Sequence, residues 1–154
     1  MPEASRTFWQ NRRAGDGMAE KSFRLDIISP DRIFYTNDVT MVEYNTVDGE
    51  VGVYAEHIPM TQIIAPGRLI VTEESGQKTA ALLSGFVEIT GEKVTILAEA
   101  VEWPQDIDVP RAQKARDCAL DILRNMEDER ETAKAEAALA RALVRLDIAG
   151  ADTE

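Results

Sequence analysis

Cysteine and histidine are almost absent from this chain. Its 154 residues include a single cysteine, Cys118, and a single histidine, His57. One cysteine excludes an internal disulfide bond and fits a reducing compartment. Because zinc and iron sites require three or four imidazole or thiolate ligands, His57 beside Glu56 predicts a turn or interface residue rather than a metal ligand.

Long apolar runs and positive charge are also scarce. No stretch approaches the roughly 20 apolar residues that a membrane-spanning helix needs. The 17 lysines and arginines are outnumbered by 28 acidic residues, for a formal net charge of −11. Since nucleic-acid-binding proteins concentrate positive charge, this balance argues against a nucleic-acid partner. The apolar fraction of 44% is still sufficient for a packed core in one large or two small domains.

The common motifs of catalysis are missing as well. The chain has no Gly-x-Ser-x-Gly turn, and the glycines of 49–52 lack the Gly-Lys-Ser/Thr ending of a phosphate loop. Cys118 has no indicated base beside it, so we interpret it as a small packing residue. The sequence therefore predicts a chain that is not catalytic alone. The alternative is a free-standing small β-sandwich enzyme or ligand-binding domain with a helical tail, which would use Glu43, Glu56 and His57.

The first 21 residues are interpreted as an extension. Arg6, Arg12 and Arg13 occur there without the apolar segment of a secretory signal. We expect residues 1–21 to be disordered.

Residues 22–104 have the pattern of a β domain. Phe23, Leu25 and Ile27 alternate with polar neighbours, which is the period-two signature of a half-buried strand. Short apolar strands follow, with turn signals every 8–12 residues, as in a sandwich. Their predicted ranges are 33–35, 39–44, 69–72, 78–83, 86–89 and 94–97. We predict a mainly β plus α protein whose N-terminal part is a flattened β-sandwich.

The stretch from Asp48 to Gly67 carries turn residues at both ends of short apolar runs. Gly49 and Gly52 permit a turn and a close backbone approach. Pro59 and Pro66 cannot donate to a strand ladder, so they belong at turns or strand edges. The stretch therefore predicts two tight turns flanking an edge segment.

Beyond Trp103-Pro104-Gln105 the composition changes to alanine, leucine and charged residues, which favours helices. Asp108 is the predicted N-cap of the first helix, and Pro110 is tolerated in its first turn. A break at 125–128 separates it from a second helix that ends near Ile148. We predict that residues 105–149 form a C-terminal antiparallel two-helix hairpin, followed by a tail of residues 150–154.

Each predicted helix has one apolar face at the helical spacing of about 100° per residue. The first face consists of Ala112, Ala115, Ala119, Ile122, Leu123 and Met126, and the second of Ala135, Leu139, Ala142 and Leu146. A basic stripe on the second helix consists of Arg130, Lys134, Arg141 and Arg145. The alanines permit close packing but bury few methylene groups, which makes the hairpin a candidate moving part. The stripe either only solvates the helix or awaits an acidic surface or a phosphate.

Several of these residues also carry a resemblance to a known family. The shared positions are Gly49, Glu50, Gly52, Val53, His57, Pro59 and the pair Pro66-Gly67. In this order they resemble a segment of the epsilon subunit of bacterial F-type ATP synthases, which corresponds to the mitochondrial delta subunit. Residues 84–89 and 93–98 are similar to the closing hairpin of that family. The resemblance covers residues 23–148.

The resemblance implies a non-catalytic rotor subunit in the central stalk of a proton-translocating ATP synthase. Such a subunit couples gamma to the membrane c-ring and restrains ATP hydrolysis by contact of its helices with the alpha/beta catalytic head. It would be peripheral to the membrane through the complex only, on the cytoplasmic face of a bacterial plasma membrane or in the mitochondrial or chloroplast equivalent. The implied interface residues are Val53, Glu56, His57, Pro59, Met60, Arg130 and Lys134.

The same family implies a regulatory ATP, although no cofactor is required. Residues 107–112 are similar to the family pattern Ile/Leu-Asp-x-x-Arg-Ala, which nucleotide-binding members use with a glutamate and arginines. The implied ATP-binding residues are Glu102, Ile107, Asp108, Arg111, Ala112, Arg141 and Arg145. Cys118 departs from the pattern, because those members carry a further arginine there. Alternatively, Asp108 and Arg111 simply pair at the start of a capped helix.

Overall fold

The computed structural model describes residues 21–125 and 127–150. The predicted disordered extension, except for Lys21, lies outside these ranges, as do the last four residues of the predicted tail and Met126 of the predicted apolar face. The described chain consists of eight strands, a short 3-10 turn and two helices. The strands are β1 (Phe23–Ile28), β2 (Ile33–Val39), β3 (Met41–Thr46), β4 (Gly49–Tyr54), β5 (Met60–Ile64), β6 (Gly67–Glu73), β7 (Gly76–Ile89) and β8 (Lys93–Glu102). The 3-10 turn is Pro104–Asp106, and the helices are α1 (Val109–Asn125) and α2 (Glu129–Gly150).

The strands form a sandwich in the order β2-β1-β8-β7-β5-β3-β4, and β6 pairs with both β3 and β7. Strands β1 and β8 run parallel, and the remaining pairs are antiparallel. The 14-residue strand β7 pairs with β6 along its first half and with β5 along its second half. It therefore takes part in both layers, and the predicted β-sandwich followed by two helices is confirmed.

A bulge near Gly85 lets β7 pass between the layers. The pairing of β7 with β8 shifts at Ser84 and again at Gly85, which has φ +137°. A Cβ atom at Gly85 would lie 2.0 Å from the carbonyl oxygen of Leu97. Only glycine fits this position, because other residues would meet both an unfavourable φ and a backbone clash.

The interior of the sandwich is built from alternate residues of all eight strands, as strand geometry requires. The largest fully buried side chains of this interior are Tyr44, Leu25, Ile27, Leu69, Leu82 and Ile96. Tyr44 satisfies its buried hydroxyl by donating to Oε1 of Gln62 at 2.5 Å. Burial raises the pKa of Tyr44 to about 12, so the phenol stays neutral in the core.

Two predicted breaks between strands are wrong. Residues 36–38, expected to form a turn, continue β2 in antiparallel register with β1. Their polar side chains are exposed at the edge of the sandwich, where a strand tolerates them. The predicted strands 78–83 and 86–89 are one strand, because the Ser84-Gly85 bulge bends β7 without ending it.

The two helices pack through alanine, as expected. Ala112, Ala119, Ala135 and Ala142 are buried, whereas Ala115 and Ile122 are exposed, so their predicted places on the packed face are wrong. Each helix begins after an aspartate N-cap. The backbone N–H of Arg111 donates to Oδ1 of Asp108 at 3.1 Å, and that of Arg130 donates to Oδ1 of Asp128 at 2.9 Å. The predicted cap at Asp108 is confirmed.

Candidate functional site

The junction between the sandwich and the hairpin is held by an aromatic stack. Trp103 follows the last residue of β8 and stacks on Phe34 with ring centroids 4.5 Å apart. The ring of Tyr35 meets Trp103 edge-on, with centroids 6.4 Å apart. Offset aromatic pairs of this kind stabilise a contact beyond simple burial. The stack therefore anchors the point at which the chain leaves the sandwich.

Glu102 and Arg145 form a two-bond ion pair across this junction. Nε of Arg145 donates to Oε2 of Glu102 at 2.8 Å, and Nη2 donates to Oε1 at 3.4 Å. Both side chains are about 30% exposed, at 31% for the glutamate and 29% for the arginine. A bidentate, half-buried pair is stronger than a surface ion pair, so it holds α2 against the end of β8.

The other residues of the predicted ATP-binding set differ in burial. Ile107 is buried in a small cluster that joins the linker to the sandwich and α2. Ala112 is buried, while Asp108 and Arg111 are exposed at the start of α1. The carboxylate of Asp108 accepts a hydrogen bond from the backbone N–H of Arg111. Asp108 and Arg111 are therefore paired locally through the helix cap, as the alternative to ATP binding expected. Arg141 is exposed one turn before Arg145.

The small apolar cluster keeps the hairpin folded back on the sandwich. It consists of Ala81, Leu83, Ile107 and Ile148. Ala81 and Leu83 lie on β7 and are fully buried, although neither is part of the main core cluster. The linker and the end of α2 therefore cover the outer surface of β7.

The predicted interface residues at the β4–β5 end differ in exposure. Val53 points inward from β4 and is fully buried in the main core. The expectation that Val53 contacts a partner is therefore wrong. Glu56 has φ +64° and accepts from Nζ of Lys21 at 2.8 Å. His57 is half-buried, and its Nδ1 donates to the carbonyl oxygen of Ile58 at 2.8 Å. Pro59 and Met60 are exposed beside them.

Sequence reasoning missed a row of apolar side chains on the outer face of the sandwich. Paired positions run across five neighbouring strands, β2-β1-β8-β7-β5. The row consists of Ile33, Ile28, Leu97, Phe86 and Ile63. We call it the outer apolar row. Its signal was available in the doublets Ile27-Ile28 and Ile63-Ile64, because consecutive apolar residues of a strand point to opposite faces.

Three of the five apolar side chains in the outer apolar row are exposed to solvent. Ile63 is 70% exposed, Ile33 66% and Phe86 44%. Two positions further along the strands, the same face is polar, with Asp26, Thr95, Glu88 and Thr61 in paired positions. A contiguous apolar row with a polar border is typical of a protein–protein contact.

The basic stripe of α2 divides into two parts. Arg130, Lys134 and Arg141 are exposed, and Nζ of Lys134 lies 3.8 Å from Oε1 of Glu131 on the same helix. Arg145, at the other end, is engaged with Glu102. The folded-back hairpin thus leaves the first three cations on the surface and uses the fourth.

A second polar cluster lies near the junction. The hydroxyl of Tyr35 donates to Oε1 of Glu73, and Nζ of Lys78 lies 3.2 Å from the same oxygen. These hydrogen bonds, the one from Tyr35 first, lower the pKa of Glu73 to about 2. Burial and then the bond to Glu73 raise the pKa of Tyr35 well above its ordinary value. The cluster ties β2 to the β6–β7 hairpin.

Within residues 21–125 and 127–150, neither helix is both long and apolar enough to cross a membrane. The same residues bring together no group of three or more histidine, cysteine, aspartate or glutamate side chains suited to a metal ion. Cys118 is exposed on α1, so its interpretation as a packing residue is wrong.

Family models match nearly all of the described chain. Residues 22–104 match the β-sandwich domain of the ATP synthase delta/epsilon chain, and residues 105–150 match its long α-helix domain. The chain belongs to the ATP synthase delta/epsilon chain family. The resemblance seen in the sequence is confirmed, and with it the prediction of a non-catalytic subunit of an ATP synthase.

Curated bacterial relatives agree with this assignment. An ATP synthase epsilon chain of Caldanaerobacter subterraneus subsp. tengcongensis is 42% identical over 131 residues, covering 84% of this chain and 95% of the relative. One from Caldicellulosiruptor bescii is 38% identical over 137 residues, covering 89% and 98%. Membership thus extends over both the sandwich and the hairpin of this epsilon-type chain.

Solved structures share the fold. A chain of the Euglena gracilis mitochondrial ATP synthase, in a structure titled OSCP/F1/c-ring, aligns with TM-score 0.72, 24% identity and 94% coverage of each chain. A chain of the Tetrahymena thermophila mitochondrial ATP synthase, titled central stalk/c-ring, aligns with TM-score 0.64 and 8% identity, covering 86% of this chain and 99% of that one. At these identities the likeness shows the fold alone.

Proposed function

We propose that this epsilon-type chain forms the foot of the central stalk of a proton-translocating ATP synthase, on the cytoplasmic face of a bacterial plasma membrane. The sandwich, residues 22–104, attaches to gamma and to the c-ring, and the hairpin, residues 105–149, regulates ATP hydrolysis. The bacterial origin of the curated relatives supports the compartment. The two structural neighbours are chains of assemblies described as OSCP/F1/c-ring and central stalk/c-ring, which supports the position in the complex.

The outer apolar row is the observation that carries the contact with gamma. Its residues project from five strands of one layer, whereas α2 packs against β6 and β7. A rotor subunit must transmit torque, and an apolar surface with a polar border gives a contact that excludes water and fixes the orientation. Burying Ile33, Ile63 and Phe86 against gamma would remove the most exposed apolar side chains of this row from water.

The β4–β5 end supplies the contact with the c-ring in this proposal. Ile58 is 71% exposed at the tip of the connection, next to Pro59 and Met60. The bond from His57 to the carbonyl oxygen of Ile58 and the left-handed conformation of Glu56 shape this tip. The acidic residue at this tip, Glu56, is exposed and would pair with basic loops of the ring.

Gel filtration with the cognate gamma subunit tests the attachment. The full chain should co-elute with gamma, and Ile63→Asp or Phe86→Asp should abolish co-elution, because a charge would be buried without a partner. Leu143→Asp is the matched control, since Leu143 is 49% exposed on α2, away from the row. Co-elution that survives both row variants, or failure of the chain to restore proton pumping to epsilon-depleted membranes, contradicts the proposal.

A regulatory ATP site at the junction is the second part of the proposal. The Glu102–Arg145 pair supports it, because folding back brings together two of the residues that the family pattern assigns to nucleotide. Phosphate would compete with Glu102 for the guanidinium of Arg145, and exposed Arg141 stands one turn away to share the charge. The carboxylate released in this way would accept from the adenine amino group or the ribose.

Hydrolysis is restrained in the extended state of the hairpin. Arg130, Lys134 and Arg141 are exposed in the folded-back state, and extension would free Arg145 to complete the stripe. Four cations on one side of a helix suit an acidic surface of the alpha/beta head. ATP bound at the junction would favour the folded-back state, in which the stripe stays away from the head.

A further inference from the structure

The end of α2 contacts the sandwich through a second ion pair that the ATP-binding pattern does not include. Nη2 of Arg68, on β6, donates to Oδ2 of Asp147 at 3.0 Å. The two side chains are 47% and 62% exposed. This pair lies two residues beyond Arg145 on the helix and reaches a different strand. The last two turns of α2 are therefore tied to the sandwich at two separate places.

Asp147 occupies a position that the isolated helix disfavours. It lies in the last turn of α2, a turn that carries no basic residue. Because the C-terminal end of a helix bears partial negative charge, a carboxylate there is unfavourable and a cation is favourable. Arg68 supplies the missing cation, but only while the hairpin is folded back. Folding back thus removes a local conflict within α2.

Ile148 follows Arg145 and Asp147 on α2 and makes the apolar contact of the helix end with the sandwich. It is 3% exposed and packs with Ala81 and Leu83 of β7. The cluster has four buried members, with Ala100, Val109, Val144 and Ala149 partly buried against it, so the apolar energy that holds α2 is limited. Modest electrostatic contacts can then change the balance between the folded-back and released hairpin.

We propose that Arg68 and Asp147 form a latch that holds the hairpin folded back independently of nucleotide. The inference rests on the regulatory role proposed for the hairpin, and it adds a contact that ATP does not touch. An exposed pair of this kind changes an equilibrium by about two- to fivefold. The latch weakens as salt rises, because both groups are exposed to screening ions.

A buried thiol under the hairpin measures the latch directly. In the full chain with Cys118→Ser, Ala81→Cys places a thiol where the side chain is fully covered by the folded-back hairpin. Its labelling by a thiol reagent requires the hairpin to lift. The neighbouring Ala80→Cys is the matched control, because Ala80 is fully buried in the main core and becomes accessible only when the sandwich opens.

Arg68→Glu and Asp147→Arg should each speed labelling of the thiol at position 81 about three- to tenfold, since each replaces attraction by repulsion. The double variant with both charges exchanged should return the rate towards that of the parent. Labelling at position 80 should not change. Millimolar ATP should leave the fold-change caused by Arg68→Glu unaltered. Salt at 0.5 M should reduce it, because the Debye length falls from about 30 Å at 0.01 M to well under 10 Å.

Three results overturn the latch. They are unchanged labelling at position 81 in both single variants, a charge exchange that does not restore the rate, and an Arg68→Glu effect that disappears in ATP. If Arg68→Glu also speeds labelling at position 80, Asp147→Arg decides, because its side chain is exposed on the helix. Failure of the latch can be distinguished from failure of the regulatory role proposed for the hairpin. The latch is measured by thiol labelling, whereas the regulatory role is measured by ATP hydrolysis of the assembled enzyme.

Discussion

At the scale of single residues, Glu73 is a carboxylate whose pKa is lowered by its partners in the folded state. Its carboxylate accepts from the hydroxyl of Tyr35 and pairs with Lys78, and its pKa falls from 4.5 to about 2. A group with a lowered pKa in the folded state contributes stability that is fully present above its unfolded pKa. This contribution is lost as the pH falls from about 4.5 towards 2.

Glu73→Gln should remove that pH dependence. The free energy of unfolding of the parent should fall more between pH 6 and pH 3 than that of the variant, because glutamine does not take up the proton. Urea denaturation at the two pH values measures the difference. Glu74→Gln is the control, since Glu74 is exposed on the neighbouring turn. Equal losses for the parent and Glu73→Gln would contradict the lowered pKa.

Two arginines should decide the response to nucleotide. Arg141→Ala combined with Arg145→Ala should abolish the rise in melting temperature that millimolar ATP gives the parent, because phosphate loses both guanidinium groups. Arg124→Ala, which removes an exposed arginine of α1 that pairs with Asp121, is the matched control and should keep the rise. A melting temperature of the parent that ATP does not change would dispose of the nucleotide site.

At the scale of elements, the alanine seam makes the hairpin both close-packed and weakly held. Ala112, Ala119, Ala135 and Ala142 let the helices approach, but methyl groups bury little apolar area. The contact with the sandwich adds a small cluster and two ion pairs. An element of this kind belongs to the less stable part of a protein, as a moving regulator requires.

Deleting residues from Asp106 onward should raise ATP hydrolysis by the assembled enzyme and leave its assembly intact. The cationic stripe is lost with the hairpin, whereas the outer apolar row is retained in full. Hydrolysis rates and subunit composition of the purified complex measure the two effects. The charge reversal Arg130→Glu with Lys134→Glu, which keeps the hairpin, should raise hydrolysis in the same direction. Unchanged rates in both variants would leave the hairpin without an inhibitory role.

At the scale of the whole molecule, the buried apolar residues of the described chain form two clusters of unequal size. The main cluster is formed by strand residues, with Trp103 packed against it, and contains no helical residue. The second cluster is small and joins the hairpin to β7. The sandwich should therefore fold without the hairpin, while the isolated hairpin lacks the surface that it covers.

A chain that ends at Gln105 should melt cooperatively within about 4 °C of the parent, which corresponds to roughly 1 kcal/mol for a domain of this size. It keeps Trp103 and its stack on Phe34, so near-ultraviolet circular dichroism should retain the tryptophan signal. Loss of the cooperative transition and of the tryptophan signal in the truncated chain would show that the main cluster needs the hairpin. Ile148→Asp in the full chain is the companion variant, because it disrupts the hairpin contact without shortening the protein.

Sequence pattern predicted the fold well because its local signals are strong and mutually consistent. The alternation of apolar and polar residues predicted β1, and the alanine-rich segments predicted both helices, the first with its N-cap at Asp108. It predicted breaks in β2 and β7 that do not exist, since polar residues at an edge and a glycine at a bulge give the same signal as turns. Of the candidate site, the family pattern identified Glu102 and Arg145 but not their mutual contact.

Local chemistry in the sequence determined which segments are strands and helices, where the helices begin, and which family the chain resembles. Periodicity, capping and turn residues each depend on a few neighbouring residues, so they can be recognised in a single sequence. Only the tertiary structure decided what lies across strands and domains. The outer apolar row needs the register of five strands, and the pair between Arg68 and Asp147 joins residues 79 positions apart. Such contacts depend on how the elements pack, which no local pattern encodes.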